Sequence, residues 1–199
     1  MYRNLFRVSA DANAWRRGRR VGLATLLFAA AMVWLTSHGE PLQPGQVERV
    51  VDGDTLRVID GEGQPRTLRL LAIDAPESGQ AGGEVARDFV AARACGSSAV
   101  EWQSHGQDRY GRTVASVSID GEDLAVALLR AGLVWRVRKY LDGQPAELQS
   151  AYEHAWRQAR ESRIGLWAGD PEPPWAWRQH SRPERGHGID CSAYRGSLH

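Results

Sequence analysis

From residue 46 onward, apolar and polar positions first alternate at the spacing of strands and later cluster at the spacing of helices. Val47, Val50 and Val51 mark a first strand and residues 55–59 a second. Asp52-Gly53-Asp54 between them is a turn signal, and Asp60-Gly61-Glu62-Gly63 predicts a hairpin turn after the second strand. Residues 66–73 run at period two, with Leu68, Leu70 and Ala72 on one face and Arg69, Leu71 and Ile73 on the other. Pro76 closes that strand. Residues 84–94 have helical composition, with Val85, Phe89, Val90 and Ala92 as candidate buried positions. Two further strands are predicted at 100–104 and 112–119, separated by a polar loop around Asp108. Residues 123–131 predict a helix closed by Gly132 as a left-handed cap, and residues 145–163 a long helix that stops before Gly165. Past Trp167 the chain is rich in Pro, Gly and His, and little regular structure is expected there.

Periodicity alone gives an α+β domain. Five short strands with interspersed helices fit a five-stranded Greek-key β-barrel of the OB type with about three packed helices. The 199 residues suffice for one such domain plus a leader and a tail. The expected division is residues 1–39 as signal or anchor, 40–45 as linker, 46–170 as the barrel domain and 171–199 as a C-terminal extension. Residues 1–20 carry six Arg and one Asp, and residues 21–39 carry no charged side chain. A positive flank followed by an apolar run is the order of a secretory signal. The charge-free stretch is also long enough for a tilted transmembrane helix, so a cleaved signal and an uncleaved anchor both fit. The Arg cluster stays cytoplasmic under either reading, which predicts an exported protein, secreted or membrane-tethered.

Beyond residue 39 there are 19 basic and 23 acidic residues, so the folded part is mildly acidic. That argues against an architectural nucleic-acid binder, whose affinity comes from many phosphate contacts. A small, locally basic site is still allowed. Lys139 is the only lysine, so nearly all cationic work falls to Arg, which suits bidentate phosphate contacts.

Asp52, Asp54, Asp74 and Glu77 fall at the ends of predicted strands. If the second and third strands pair through the hairpin, Asp54 and Asp74 lie at the same end of the sheet. Two carboxylates, a backbone carbonyl and waters make a hard-oxygen site for Ca²⁺ or Mg²⁺. Each acid taken singly also reads as turn decoration. Arg69 sits in the apolar run Leu68-Arg69-Leu70-Leu71, where a charge is either paired or functional. Arg112 follows Tyr110-Gly111 at a strand start, where a solvated arginine is the plain alternative. Arginines and carboxylates around a divalent ion suit phosphoryl transfer.

Three ordered blocks carry a more specific message: Val51-Asp52-Gly53-Asp54-Thr55, then Arg69-Leu70-Leu71-Ala72-Ile73-Asp74-Ala75-Pro76-Glu77, then Asp108-Arg109-Tyr110-Gly111-Arg112. They resemble the signature blocks of the thermonuclease (staphylococcal-nuclease-like) family. Gly132-Leu133, Ile164-Gly165-Leu166-Trp167 and the run from Pro173-Pro174-Trp175 to Arg178 look like further family landmarks. The resemblance implies a barrel that hydrolyses DNA and RNA phosphodiesters with Ca²⁺, cutting the bond to the 5′ oxygen and leaving 3′-phosphate products. It implies Asp54, Asp74 and the Ala75 backbone carbonyl as Ca²⁺ ligands, with Asp52 near the site. Glu77 is expected to position or deprotonate the attacking water, and Arg69 and Arg112 to hold the scissile phosphate. Tyr110, Arg109, Arg138 and Tyr140 are expected on the substrate. Ala75 replaces the family's usual Thr, and Arg138 stands where the prototype has the first of two tyrosines. A non-catalytic OB barrel that binds nucleic acid or protein is the alternative.

Cys95 and Cys191 are the only cysteines. Outside the cytoplasm they could pair. Two unpaired thiols are the favoured reading, because the family core does not need the bond. No complete zinc pattern is present, and no obligate protein partner is evident; a monomer is expected.

Overall fold

A computed structural model describes residues 41–97, 99–181 and 186–194. The signal or anchor expected over residues 1–39 lies outside the described residues. Among those that are described, no helix is long and apolar enough to cross a membrane.

Strand β1 (Gln43–Val50) pairs antiparallel with β2 (Thr55–Asp60), and β2 pairs antiparallel with β3 (Pro65–Leu70). β3 lies parallel to β6 (Thr113–Ile119), β6 is antiparallel to β5 (Val100–Gln107), and β5 returns to residues 43–45 of β1. The five strands thus close into a barrel, consistent with the OB type. Alternate residues fill its interior: Leu56 and Val58, Leu68 and Leu70, Val100 and Trp102, then Ala115, Val117 and Ile119 are all buried. β1 begins at Gln43, inside the stretch expected as a linker, because residues 43–45 form its ladder with β5.

The strand predicted over residues 66–73 is broken. β3 ends at Leu70, Ala72 turns the chain at φ 54°, and a separate strand β4 (Ile73–Asp74) pairs with β8 (Trp135–Arg136). Leu71, Ala72 and Ile73 are therefore all buried rather than alternating. The bend swings Asp74 back over the barrel end where Asp54 sits.

Helix α1 (Gly83–Ala94) buries Ala86, Val90, Ala91 and Ala94. Val85 and Ala92, expected inside, face outward: the helix approaches the barrel on its alanine stripe, which permits a close fit. Helix α2 (Leu124–Arg130) follows the short strand β7 (Glu122–Asp123), which pairs with β6. Gly132, at φ 67°, ends α2 as expected: its N–H donates to Leu129 O and that of Leu133 to Leu128 O, the paired bonds of a Schellman cap. Helix α3 (Ala146–Glu161) buries Tyr152, Ala155 and Ala159 on one face.

The C-terminal segment is more ordered than its composition predicts. Pro174 starts a fourth helix, α4 (Pro174–His180), and β9 (Ile189–Asp190) pairs antiparallel with β1. Trp175 packs edge-on to Trp135 at 6.4 Å, so an aromatic contact supplies what composition did not reveal. The reading of two unpaired thiols is also corrected: Cys95 and Cys191 form a disulfide. The β9–β1 ladder explains it, since Cys191 N–H donates to Glu48 O and brings the tail beside Cys95 at the end of α1.

Candidate active site

All the side chains singled out in the sequence line one open cleft of about 1120 Å³ at the barrel end. The turn Asp52-Gly53-Asp54 contributes both of its acids to the lining. Asp52 Oδ1 accepts the Asp54 N–H at 3.0 Å and closes the turn. A side chain on Gly53 would come within 2.7 Å of Ala86 on α1 and 2.8 Å of Ala75, so glycine is what lets the turn pack against both.

Asp54 is buried, and each of its carboxylate oxygens is engaged. Oδ1 accepts from the Thr55 hydroxyl at 3.1 Å. Oδ2 accepts the Ala75 N–H at 2.7 Å and pairs with Arg69 Nη1 at 2.5 Å. The other arm of Arg69, Nη2, donates to Asp74 Oδ1 at 2.8 Å. Arg69 therefore bridges the two carboxylates that the motif places 20 positions apart, which disposes of the solvated-charge problem of a guanidinium in an apolar strand. Burial alone would make Arg69 easier to deprotonate; the charges of Asp54, Asp74 and Asp52 outweigh it and hold the guanidinium firmly cationic.

Two guanidinium groups, Arg69 and Arg178, do not balance the four acids Asp52, Asp54, Asp74 and Glu77. Burial, reinforced by the charge of Asp54, pushes the Asp52 carboxyl up to about 7. Burial and the same Asp54 charge also raise Asp74, against the pull of Arg69 and Arg178. Such a cluster of oxygens calls for further positive charge. Among the described residues, no three His, Cys, Asp or Glu side chains come close enough to enclose a metal by themselves. The groups that could meet a cation there are the Asp54 and Asp74 carboxylates, with the Ala75 backbone carbonyl beside them, all hard oxygens. An ion that takes roughly six to eight oxygens would draw the remainder from water and substrate. The residues present fit Ca²⁺ on those terms.

Arg112 enters from the loop before β6. Its Nε donates to Asp108 Oδ2 at 2.7 Å, and Nη1 reaches Thr55 Oγ1 at 3.4 Å. Burial works against the Asp108 charge, but the hydrogen bonds from the Arg112 side chain and from the Arg112 and Tyr110 N–H groups outweigh it and hold the carboxyl below its ordinary value. Tyr110 and Tyr140 are exposed, and each carries a cation against its ring: Arg109 at 4.9 Å from Tyr110, Lys139 at 4.7 Å from Tyr140. Arg138 is exposed on the same rim. An aromatic face beside a cation suits a stacked base next to its phosphate.

Glu77 and the C-terminal segment meet in a way the sequence reading missed. Arg178 on α4 sends Nε to Glu77 Oε1 at 2.5 Å and Nη2 to Asp74 Oδ1 at 2.6 Å. Thr55, Asp108 and Gln80 also have site contacts that were not foreseen. For Thr55 and Asp108 the signal was present, since both lie within the quoted blocks. For Arg178 the signal was a proline-capped helix start with an aromatic one turn before an arginine.

The comparisons with known proteins agree with this geometry. The chain matches the family model described as staphylococcal nuclease homologue over residues 67–169. It is 34% identical over 175 residues to a protein named micrococcal nuclease from Shigella flexneri, covering 82% of this chain and 93% of that one. It is 37% identical over 137 residues to an uncharacterized endonuclease of Escherichia coli O157:H7, covering 67% and 84% respectively. An uncharacterized endonuclease of Haemophilus influenzae is 30% identical over 165 residues, covering 82% of this chain and 88% of that one.

Proposed function

The chain belongs to the staphylococcal nuclease family, and from that premise we propose that it hydrolyses phosphodiester bonds of DNA or RNA in a Ca²⁺-dependent reaction that leaves 3′-phosphate products. As a member it is a nuclease, a phosphodiesterase acting on nucleic acid. The observation that carries the finer reading is the convergence of Asp54, Asp74, Arg69, Glu77 and Arg112 on one cleft.

Asp54, Asp74 and the Ala75 carbonyl would hold Ca²⁺, with Asp52 adding negative charge from nearby. The bound ion would supply neutralisation of the phosphate oxygens and acidify water beside it. Arg69 and Arg112 would grip the non-bridging oxygens as charge grows on them. Glu77 would orient the attacking water or take its proton. The water oxygen bonds to phosphorus, the bond from phosphorus to the 5′ oxygen breaks, and that oxygen leaves to be protonated. Tyr110, Arg109, Arg138 and Tyr140 would hold the flanking nucleotide.

Export, whether free or tethered through residues 21–39, is supported by the charge order of the leader and by the Cys95–Cys191 disulfide, which suits an oxidising compartment.

The test is incubation of the full chain with single-stranded DNA and with RNA, in Ca²⁺ or in chelator, with end-group analysis of the fragments. Cleavage that requires Ca²⁺ and yields phosphatase-sensitive 3′ ends is expected. Absence of cleavage in Ca²⁺, or 5′-phosphate ends, overturns the proposal. Glu77→Gln should lower turnover by about 10²-fold or more while the protein stays folded.

A further inference from the structure

We propose that Arg178 is a positioning residue of the nuclease reaction: its guanidinium clamps Glu77 to Asp74 and so fixes the carboxylate that handles water relative to the one that holds the metal. The inference rests on the roles given above to those two acids.

Glu77 lies in the stretch between β4 and α1, which has no regular secondary structure to hold a side chain in place. The C-terminal segment holds it at two points. Gln80, buried, accepts the Glu77 N–H on Oε1 at 2.9 Å and donates from Nε2 to the Glu172 carbonyl at 2.7 Å. Six residues beyond Glu172, Arg178 takes the Glu77 carboxylate itself, 101 positions away in the chain. Its Nε and Nη2 bind one oxygen each of Glu77 and Asp74, and that oxygen of Asp74 also receives Arg69. Among the described residues, Arg178 engages only one of the two Glu77 oxygens.

The segment is itself anchored to the site. Pro174 is buried, and Trp175 packs on Trp135, which is the ladder partner of Asp74 in β4–β8. A movement of α4 is therefore a movement against the strand that carries Asp74. Arg178 is 39% exposed at its side chain and opens on the cleft. The arginine end of these pairs is exposed while Asp74 is buried, so the split between kcat and KM, rather than the melting point, isolates the geometric consequence. The planar fork presents N–H groups from two nitrogens in fixed directions, one to each carboxylate; a lysine head is a single point charge on a flexible stem and does not reproduce that geometry.

The experiment compares the full chain with Arg178→Ala, Arg178→Lys and Arg178→Gln under the Ca²⁺ assay, and follows the Glu77–Gln80 amides by hydrogen exchange in metal-free protein. Loss of an orienting contact is expected to lower kcat about 10²-fold with KM changed less than about threefold. The lysine variant should recover less than about a tenth of the lost turnover, because the fork is what matters. Millimolar guanidinium should partly restore Arg178→Ala and leave the unsubstituted chain unaffected. Amide exchange in the Glu77 loop should quicken in Arg178→Ala. Unchanged kcat, a loss confined to KM, full recovery with lysine, a gain in turnover, or unaltered exchange each overturns the inference. If Arg178→Ala does not melt cooperatively, Arg178→Gln, which keeps the stem, carries the same readings. An inactive unsubstituted chain would instead sink the proposed function.

Discussion

Thr55 and Arg69 stand opposite each other in the β2–β3 ladder, and their side chains reach the same carboxylate from two directions. The Thr55 hydroxyl donates to one oxygen of Asp54 while Arg69 pairs with the other. The hydroxyl oxygen also lies within reach of Arg112 Nη1. Thr55 thus links an arginine expected on the phosphate to an acid expected on the metal. Thr55→Val removes the hydroxyl from a site that is otherwise buried. Leaving both partners short of one hydrogen bond costs about 1–3 kcal/mol, and kcat/KM on single-stranded DNA should fall about tenfold or more. A kcat/KM equal to that of the unsubstituted chain counts against the link.

Arg69 occupies oxygens of Asp54 and Asp74 that the proposed Ca²⁺ would also use. Removing a partner from a buried ion pair costs about 3–5 kcal/mol, because the remaining charges stay buried without compensation. Arg69→Met should therefore lower the urea midpoint strongly in chelator. Ca²⁺ should return much of the loss, since a ligand at about 100 times its Kd stabilises by about 2.7 kcal/mol. The expected signature is a larger Ca²⁺-dependent shift in Arg69→Met than in the unsubstituted chain. Equal shifts would show that the arginine and the ion do not share these acids.

The parts of this site that were legible from sequence are local. Asp52 to Thr55 is a single turn, and Arg69 to Glu77 is one strand end, so hydrophobic alternation and two short motifs were enough to place them at one end of the barrel. What alternation concealed is the bend at Ala72, whose positive φ nothing in the residue type announces. The chain resumes as β4 only because β8 offers a partner, a contact made over 60 positions away. Arg178 and the disulfide share that difficulty. Their partners lie 101 and 96 positions distant, and a Pro- and Gly-rich composition argues for irregular chain until a tryptophan finds Trp135 and a strand finds β1. Helix α1 was misjudged at Val85 and Ala92 because apolar residues on two faces leave the buried one undetermined until the barrel selects the alanine stripe.

The Cys95–Cys191 bond closes a long loop and ties β9 to the end of α1. A cross-link over that span restricts the unfolded chain, and its removal typically costs about 2–5 kcal/mol. The double variant Cys95→Ser, Cys191→Ser should unfold at lower urea than the oxidised chain, and reductant should lower the oxidised chain to the same midpoint. The exchange of amides in Arg49 and Val50, which pair with β9, should quicken in the variant. Midpoints that coincide with and without reductant would mean the bond contributes nothing to the fold.

Asp123 provides a pH dependence remote from the cleft. Its Oδ1 caps α2 by accepting the Val126 N–H at 2.8 Å, and the fully buried Tyr152 sits beside it. Burial pushes the Asp123 carboxyl above its ordinary 3.8, although the Val126 and Ala125 N–H groups pull the other way. Burial first, and then the Asp123 charge, raise Tyr152 well above its ordinary 10, so the phenol stays protonated. An acid whose folded pKa exceeds its unfolded one binds its proton more tightly in the fold. Its contribution is complete below the unfolded pKa and is lost as pH rises through the folded value. Asp123→Asn keeps an oxygen for the cap and removes the buried charge. The variant should match the unsubstituted chain near pH 4 and exceed it in urea midpoint near pH 7, with the gap opening as pH rises. A gap that does not change with pH, or one that favours the carboxylate at neutrality, would show that the cap benefits from the charge more than burial penalises it.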